Sequence, residues 1–169
     1  MISEIKFRKG TQDDSDKIWE ILQQGIERRR LDNSQQWQNG YPNPETVHSD
    51  IEKQIGYVLV ENDNVIAYCA VILNDEPAYE NIEGKWLSDG DFNVVHRLAV
   101  SDEVAGKGYA TEIFRRIEDL SRQNGIFSVK VDTNFDNKAM LHILKKLGYI
   151  YCGEVYLAGG ERKAFEKLL

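Results

Sequence analysis

The stretch from Val94 to Glu112 constrains this chain most. Val94-Val95-His96-Arg97-Leu98-Ala99-Val100 is a β-rich apolar run, Ser101-Asp102-Glu103-Val104 is a short polar link, and Ala105-Gly106-Lys107-Gly108-Tyr109-Ala110-Thr111-Glu112 opens a helix through two glycines. Strand, glycine turn and helix N-terminus let several backbone N–H groups converge on one point with no Cβ atom in the way. That is an anion-binding geometry. The chain has no G-x-x-x-x-G-K-[ST], and no G-x-G-x-x-G with an acidic residue about twenty positions on, so a mononucleotide P-loop is excluded.

The rest of the chain supplies a frame for that stretch. Ile5 to Arg8 alternates and predicts a strand closed by Gly10. Thr11 to Asp14 reads as an N-cap with acidic first-turn residues. Ile18, Ile21, Leu22, Gly25 and Ile26 then share one helical face, ending near Arg30. Leu31 to Asn43 is an unusually aromatic connection, and Asn43-Pro44 starts a short helix. Tyr57 to Val60 and Val65 to Leu73, joined by Asn62-Asp63-Asn64, predict an antiparallel hairpin whose second strand is covered on both faces. A long polar connection runs from Asn74 to Phe92, and the strand Phe92 to Val100 follows. Ala110, Ile113, Phe114, Ile117 and Leu120 repeat at helical spacing, with Asn124-Gly125 as the stop. Phe127, Val129 and Val131 alternate with Ser128, Lys130 and Asp132 in a strand expected to lie parallel to Phe92–Val100 through a right-handed crossover. Met140, Leu141, Leu144 and Leu147 mark a further helix ending at Gly148. Tyr149 to Tyr156 and Arg162 to Lys167 are final strands turning at Gly159-Gly160.

This order, βαα βββ αβα ββ, predicts an α/β (α+β, three-layer) fold with a mixed central sheet flanked by helices. With 169 residues and 41% apolar content, one domain over residues 1–169 is expected. A net charge of −7 argues against nonspecific nucleic-acid or anionic-membrane partners. Cys69 and Cys152 make neither a disulfide framework nor a zinc motif, no metal is expected, and the cytoplasm is the default compartment. Neither a leader nor a membrane-spanning run stands out.

With that element order, Ala105-Gly106-Lys107-Gly108-Tyr109-Ala110 resembles the R/Q-x-x-G-x-G/A loop of the GNAT superfamily of acyl-CoA-dependent N-acyltransferases, with Ala105 where Arg or Gln is usual. Asn137, Ala139 and Lys145-Lys146-Leu147-Gly148-Tyr149 match a second family pattern loosely. The resemblance spans essentially the whole chain and implies acetyl-CoA as co-substrate. It places the pyrophosphate at Ala105, Gly106, Lys107, Gly108, Tyr109, Ala110 and Thr111, pantetheine along Leu98, Ala99 and Val100, and further coenzyme contacts at Asn134 and Asn137. It also implies that the strand of Leu98 to Val100 splays from its parallel neighbour, with a backbone N–H there on the thioester carbonyl.

Acetyl transfer to an amine needs the two reactants held together, donors on the carbonyl oxygen, and a route for protons. His96 has the reference pKa nearest neutrality and falls at one of two histidine positions of the family's arylalkylamine branch, with Val94 at the other. It is the candidate base, against the alternative of a satisfied strand histidine. Counting back from Tyr149, Leu144 stands where the family often has a proton-donating tyrosine. Tyr149 or Tyr151, water, or a domain that binds coenzyme A without efficient transfer remain as answers. Trp37, Tyr41, Tyr79 and Trp86 are candidate acceptor-binding residues, each equally readable as an aromatic pinning a loop. Cys152 reads as a small buried residue. The expected activity is direct acetyl transfer to a primary amine, small molecule or peptide, in a ternary complex. An acyl-CoA-binding module and a protein N-terminal or lysine acetyltransferase are the alternatives, and a homodimer is the one assembly considered.

Overall fold

The computed structural model describes residues 3–169. It contains strands β1 (Ile5–Lys9), β2 (Gly56–Glu61), β3 (Asn64–Leu73), β4 (Glu83–Gly84), β5 (Asn93–Val100), β6 (Ser128–Thr133), β7 (Ile150–Leu157) and β8 (Gly160–Leu168). The helices are α1 (Ser15–Leu31), α2 (Pro44–Glu52), α3 (Tyr109–Gln123) and α4 (Lys138–Lys146). The strands form a mixed sheet in the order β1-β2-β3-β5-β6-β8-β7-β4. Packing divides the chain into two compact units, Met1–Val71 with His96–Arg116, and Ile72–Val95 with Ile117–Leu169, the boundaries falling inside β3, β5 and α3.

In the first unit β1 pairs antiparallel with β2, and β2 with β3. The hairpin turns on Asn62 and Asp63, both at positive φ, as a two-residue turn requires. Helix α1 begins after a 3-10 turn, Gln12–Asp14, rather than directly after Thr11. Asp14 accepts from Thr11 N (2.8 Å) and from Arg8 Nη1 (2.7 Å), which closes that turn. Asn43 caps α2 as expected, its Oδ1 accepting from Thr46 N at 2.9 Å. Ile18, Ile21 and Leu22 of α1 and Val47 and Ile51 of α2 bury their apolar faces against Val58, Val60, Val65 and Tyr68.

In the second unit Asn93–Val95 of β5 run parallel to Val129–Val131 of β6, β6 pairs antiparallel with β8, and β8 with β7. The sequence read Asn74 to Phe92 as connection only, but Glu83 and Gly84 add a short strand to β7. Glycines make this approach feasible. A Cβ on Gly84 would lie 2.1 Å from Cys152 O, and one on Gly153 2.1 Å from Glu83 O. Polar Ser128 and Lys130 of β6 are both buried, so the alternation in that strand does not mark a solvated face. Ser128 Oγ donates to fully buried Glu166 (2.6 Å), and the Lys130 ammonium lies over the rings of Phe92 (3.9 Å) and Trp86 (4.3 Å). Burial pulls the Lys130 ammonium below its ordinary range.

Candidate active site

The glycine loop stands as its sequence suggests. Ser101 caps a 3-10 turn, Asp102–Val104, and Gly106 (φ +77°) and Gly108 (φ +83°) follow in the left-handed region. A side chain there costs about 1–2 kcal/mol, so these two positions favour glycine. Ala105, Gly106, Lys107 and Gly108 are exposed, and a Cβ on either glycine would meet no atom within 4 Å. Glu112 N donates to Gly108 O (3.1 Å), so the N–H groups of Tyr109, Ala110 and Thr111 precede the helical ladder. Open space before left-handed glycines and a helix N-terminus fits a diphosphate. Tyr109 turns its hydroxyl to Glu61, and Thr111 is 8% exposed.

Helix α1 holds this turn from one side. Lys17 pairs with Glu103 (3.1 Å), Gln24 Oε1 accepts from Asp102 N (2.9 Å), and Arg28 pairs with Asp102. Arg28 Nη2 also donates to Val100 O at 2.8 Å. Ser101 N donates to Ile66 O of β3, and backbone groups alternate along a strand, so Val100 and Leu98 present theirs on the opposite edge of β5. The Val100 carbonyl there has a partner in Arg28. An extended ligand on that edge would meet the Leu98 and Val100 N–H groups and a Val100 carbonyl that already accepts from Arg28. Ala99 is buried in the core under α1.

Sequence reasoning missed Arg97. It lies inside β5 with φ +54°, a left-handed conformation in mid-strand that bends the strand like a bulge. Its guanidinium is clamped by Asp50 of α2, Nη2 to Oδ1 at 2.6 Å and Nε to Oδ2 at 2.9 Å, and donates from Nη1 to Tyr41 Oη at 2.7 Å. Tyr68 of β3 donates to the same carboxylate at 2.5 Å. Burial, reinforced by Asp50, holds the Tyr68 hydroxyl far above its ordinary range, so it stays a donor. No local signature marks such a group, because Asp50 and Arg97 lie far apart in sequence. His96 is half-buried beside it.

The expected acceptor aromatics fall in separate units. In the first, Trp37 packs on the core where Gly25 of α1 makes room, since a Cβ there would sit 2.9 Å from its ring. Tyr41 is exposed and tied to Arg97. In the second, Tyr79 is 2% exposed, with its hydroxyl on Asp132 at 2.5 Å, so its ring is core packing rather than an open wall. Half-buried Trp86 donates from Nε1 to Tyr79 O (2.9 Å). Its loop is pinned by Glu166, which accepts from Leu87 N (2.7 Å) and Ser88 Oγ (2.5 Å). Asn137 caps α4 through Met140 N (3.3 Å), whereas the buried Oδ1 of Asn134 has no hydrogen-bond partner in the structure. An orphaned acceptor at the end of β6 fits a residue awaiting a ligand donor.

The proton-donor alternatives narrow. Leu144 is fully buried, so its position faces the core. Tyr149 is 4% exposed and donates to Glu118 at 3.1 Å, and burial keeps its hydroxyl far above the usual range. Tyr151 is exposed and pushed up to about 12, chiefly by its bond to Glu154. Burial raises the Cys152 thiol, which disfavours a nucleophilic thiolate. Among the described residues no group of three or more His, Cys, Asp or Glu is placed to hold a metal ion, and no helix is long and apolar enough to cross a membrane.

Comparison with known proteins joins these features. The Acetyltransferase (GNAT) family matches residues 19–149. A GNAT-family acetyltransferase from Streptococcus agalactiae is 32% identical with a TM-score of 0.91, over 98% of this chain and 95% of that one. A putative acetyltransferase from Staphylococcus aureus is 28% identical, TM-score 0.73, over 96% and 97%. The NatC complex bound to Gag peptide and CoA shares the fold at 13% identity and a TM-score of 0.69, over 98% and 99%. A search of the curated proteins finds no match. The family match covers more than half of the chain and the streptococcal likeness nearly all of it, so the chain belongs to the GNAT acetyltransferase family.

Proposed function

We propose that this protein transfers the acetyl group of acetyl-CoA directly to a primary amine within a ternary complex. The observation that carries this reading is the exposed loop at Gly106 and Gly108, left-handed, open, and followed at once by the first N–H groups of α3. The family uses acetyl-CoA, which supplies the acetyl group already activated as a thioester. The loop amides at residues 106–111 hold the diphosphate, and the outward N–H groups of Leu98 and Val100 align the amide chain that follows it, as an added strand would. One of these N–H groups faces the carbonyl oxygen as its negative charge develops. His96 takes the proton from the amine, the C–S bond breaks as the C–N bond forms, and coenzyme A leaves as a thiolate that is protonated from water. Exposed Tyr41 lines the acceptor side, and the orphaned Oδ1 of Asn134 accepts from a ligand donor. The site is assigned to the cytoplasm.

Buried Leu144 supports a second reading, a domain that binds acyl-CoA without efficient transfer. Thiol release from acetyl-CoA across polyamines, amino acids, aminoglycosides and peptides separates the two. The transferase reading expects amine-dependent release with intersecting initial-rate lines, and tight binding with no release favours the binding module. Release with peptides alone moves the acceptor to protein N-termini or lysines. A His96→Ala variant is expected to lose about 100-fold in rate at neutral pH. Full retention removes His96 from the mechanism.

A further inference from the structure

The Asp50–Arg97 pair lies outside the roles given above. Arg97 holds a left-handed backbone inside β5, and such residues persist only where their surroundings over-determine them. Three segments converge on it. Asp50 of α2 grips the guanidinium at 2.6 and 2.9 Å, Tyr68 of β3 steadies Asp50, and Tyr41 from the connection after α1 takes the remaining nitrogen at 2.7 Å. The side chains of Arg97 and Asp50 are only 11% and 4% exposed. A buried ion pair gains little stability over apolar packing, so stability alone does not account for it, whereas bidentate geometry fixes direction. With one N–H on each of its three nitrogens engaged and the side chain only 11% exposed, little of the guanidinium is open to a substrate anion. Its remaining consequence is on the backbone it belongs to, immediately before Leu98.

Resting on the transferase reading, we infer that Asp50 and Arg97 are positioning residues: their ion pair holds the bend of β5, and the bend aims the Leu98 and Val100 N–H groups at the bound coenzyme, one of them at the thioester carbonyl. Tyr41 adds the connection after α1 to the same anchor.

The test is the infrared carbonyl band of carbonyl-13C acetyl-CoA bound to the whole protein, read with its Kd. In the wild type the band moves to lower frequency than in water, because the carbonyl oxygen accepts from aimed N–H groups. Asp50→Asn is expected to keep Kd within about threefold, since the glycine loop is untouched, and to lose most of the band shift. Ile51→Ala, which cuts into the adjacent core position at 9% exposure, is the control for general destabilisation and keeps the shift. A second pair removes both charges and so avoids a buried unpaired ion. Asp50→Asn with Arg97→Gly, where glycine adopts the bend freely, retains more of the shift than Asp50→Asn with Arg97→Ala. Equal, wild-type shifts in Asp50→Asn and in both double variants overturn the inference, as does a wild type that binds without any shift. A wild type that does not bind acetyl-CoA overturns the transferase reading itself.

Discussion

Replacing Gly108 by valine separates ligand binding from folding. Gly108 sits at φ +83° with no atom within 4 Å of an added Cβ, so valine meets no clash in the free protein and adds only backbone strain. That strain is about 1–2 kcal/mol, which lowers Tm by about 2–8 °C for a chain of this size. The strain is present with and without ligand and cancels from the binding constant. What does not cancel is the side chain filling the space before the α3 N-terminus, where it holds a phosphate away from the loop amides. Two hydrogen bonds to a charged group are together worth about 3–6 kcal/mol, roughly 100- to 10,000-fold in Kd. Gly125→Val is the matched control. Gly125 has φ +73°, equally open surroundings, and lies past the opposite end of α3. Calorimetric titration with acetyl-CoA and thermal melts of both variants make the comparison. Similar Tm losses with a Kd change confined to Gly108→Val are expected. Equal affinity in the two variants refutes the assignment of the loop.

Two further substitutions test the frame and the proton route. The bond from Arg8, followed by those from Thr11, holds the Asp14 carboxyl below its ordinary range. A depressed carboxyl contributes fully above its unfolded value of about 3.9 and loses that contribution as pH falls through its folded value. Asp14→Asn is therefore expected to cost about 1–3 kcal/mol at pH 7, with the gap from wild type closing in acid denaturation series below pH ~4. A gap that is constant with pH contradicts the ion pair. Leu144→Tyr is expected to destabilise by about 1–3 kcal/mol through overpacking at a fully buried site without raising thiol release, so faster release in that variant would show that the position does reach the sulfur.

Much of the frame was legible because it rests on local rules. The apolar stripe of α1, the Asn43 cap, the Asn62-Asp63 turn and the glycines before α3 each carry their instruction within a few residues. What escaped depends on distant partners. The alternation of Ser128 and Lys130 with apolar neighbours does not disclose their burial, which comes from Glu166, Trp86 and Phe92 packed against them. Strand β4 exists because Gly84 and Gly153, far apart in sequence, allow a close approach. Tyr79 reads as a loop aromatic, yet Asp132 and the unit core claim it. Arg97 sits in an ordinary β-rich run, and only Asp50, Tyr41 and Tyr68 reveal its bend.

The most direct test of the central claim follows the acetyl group itself. With carbonyl-13C acetyl-CoA and the acceptor that releases thiol fastest, mass spectrometry is expected to find one labelled N-acetyl amine for each thiol released, with no label retained on the protein. Thiol release without labelled amine, or label held covalently on the chain, contradicts direct transfer.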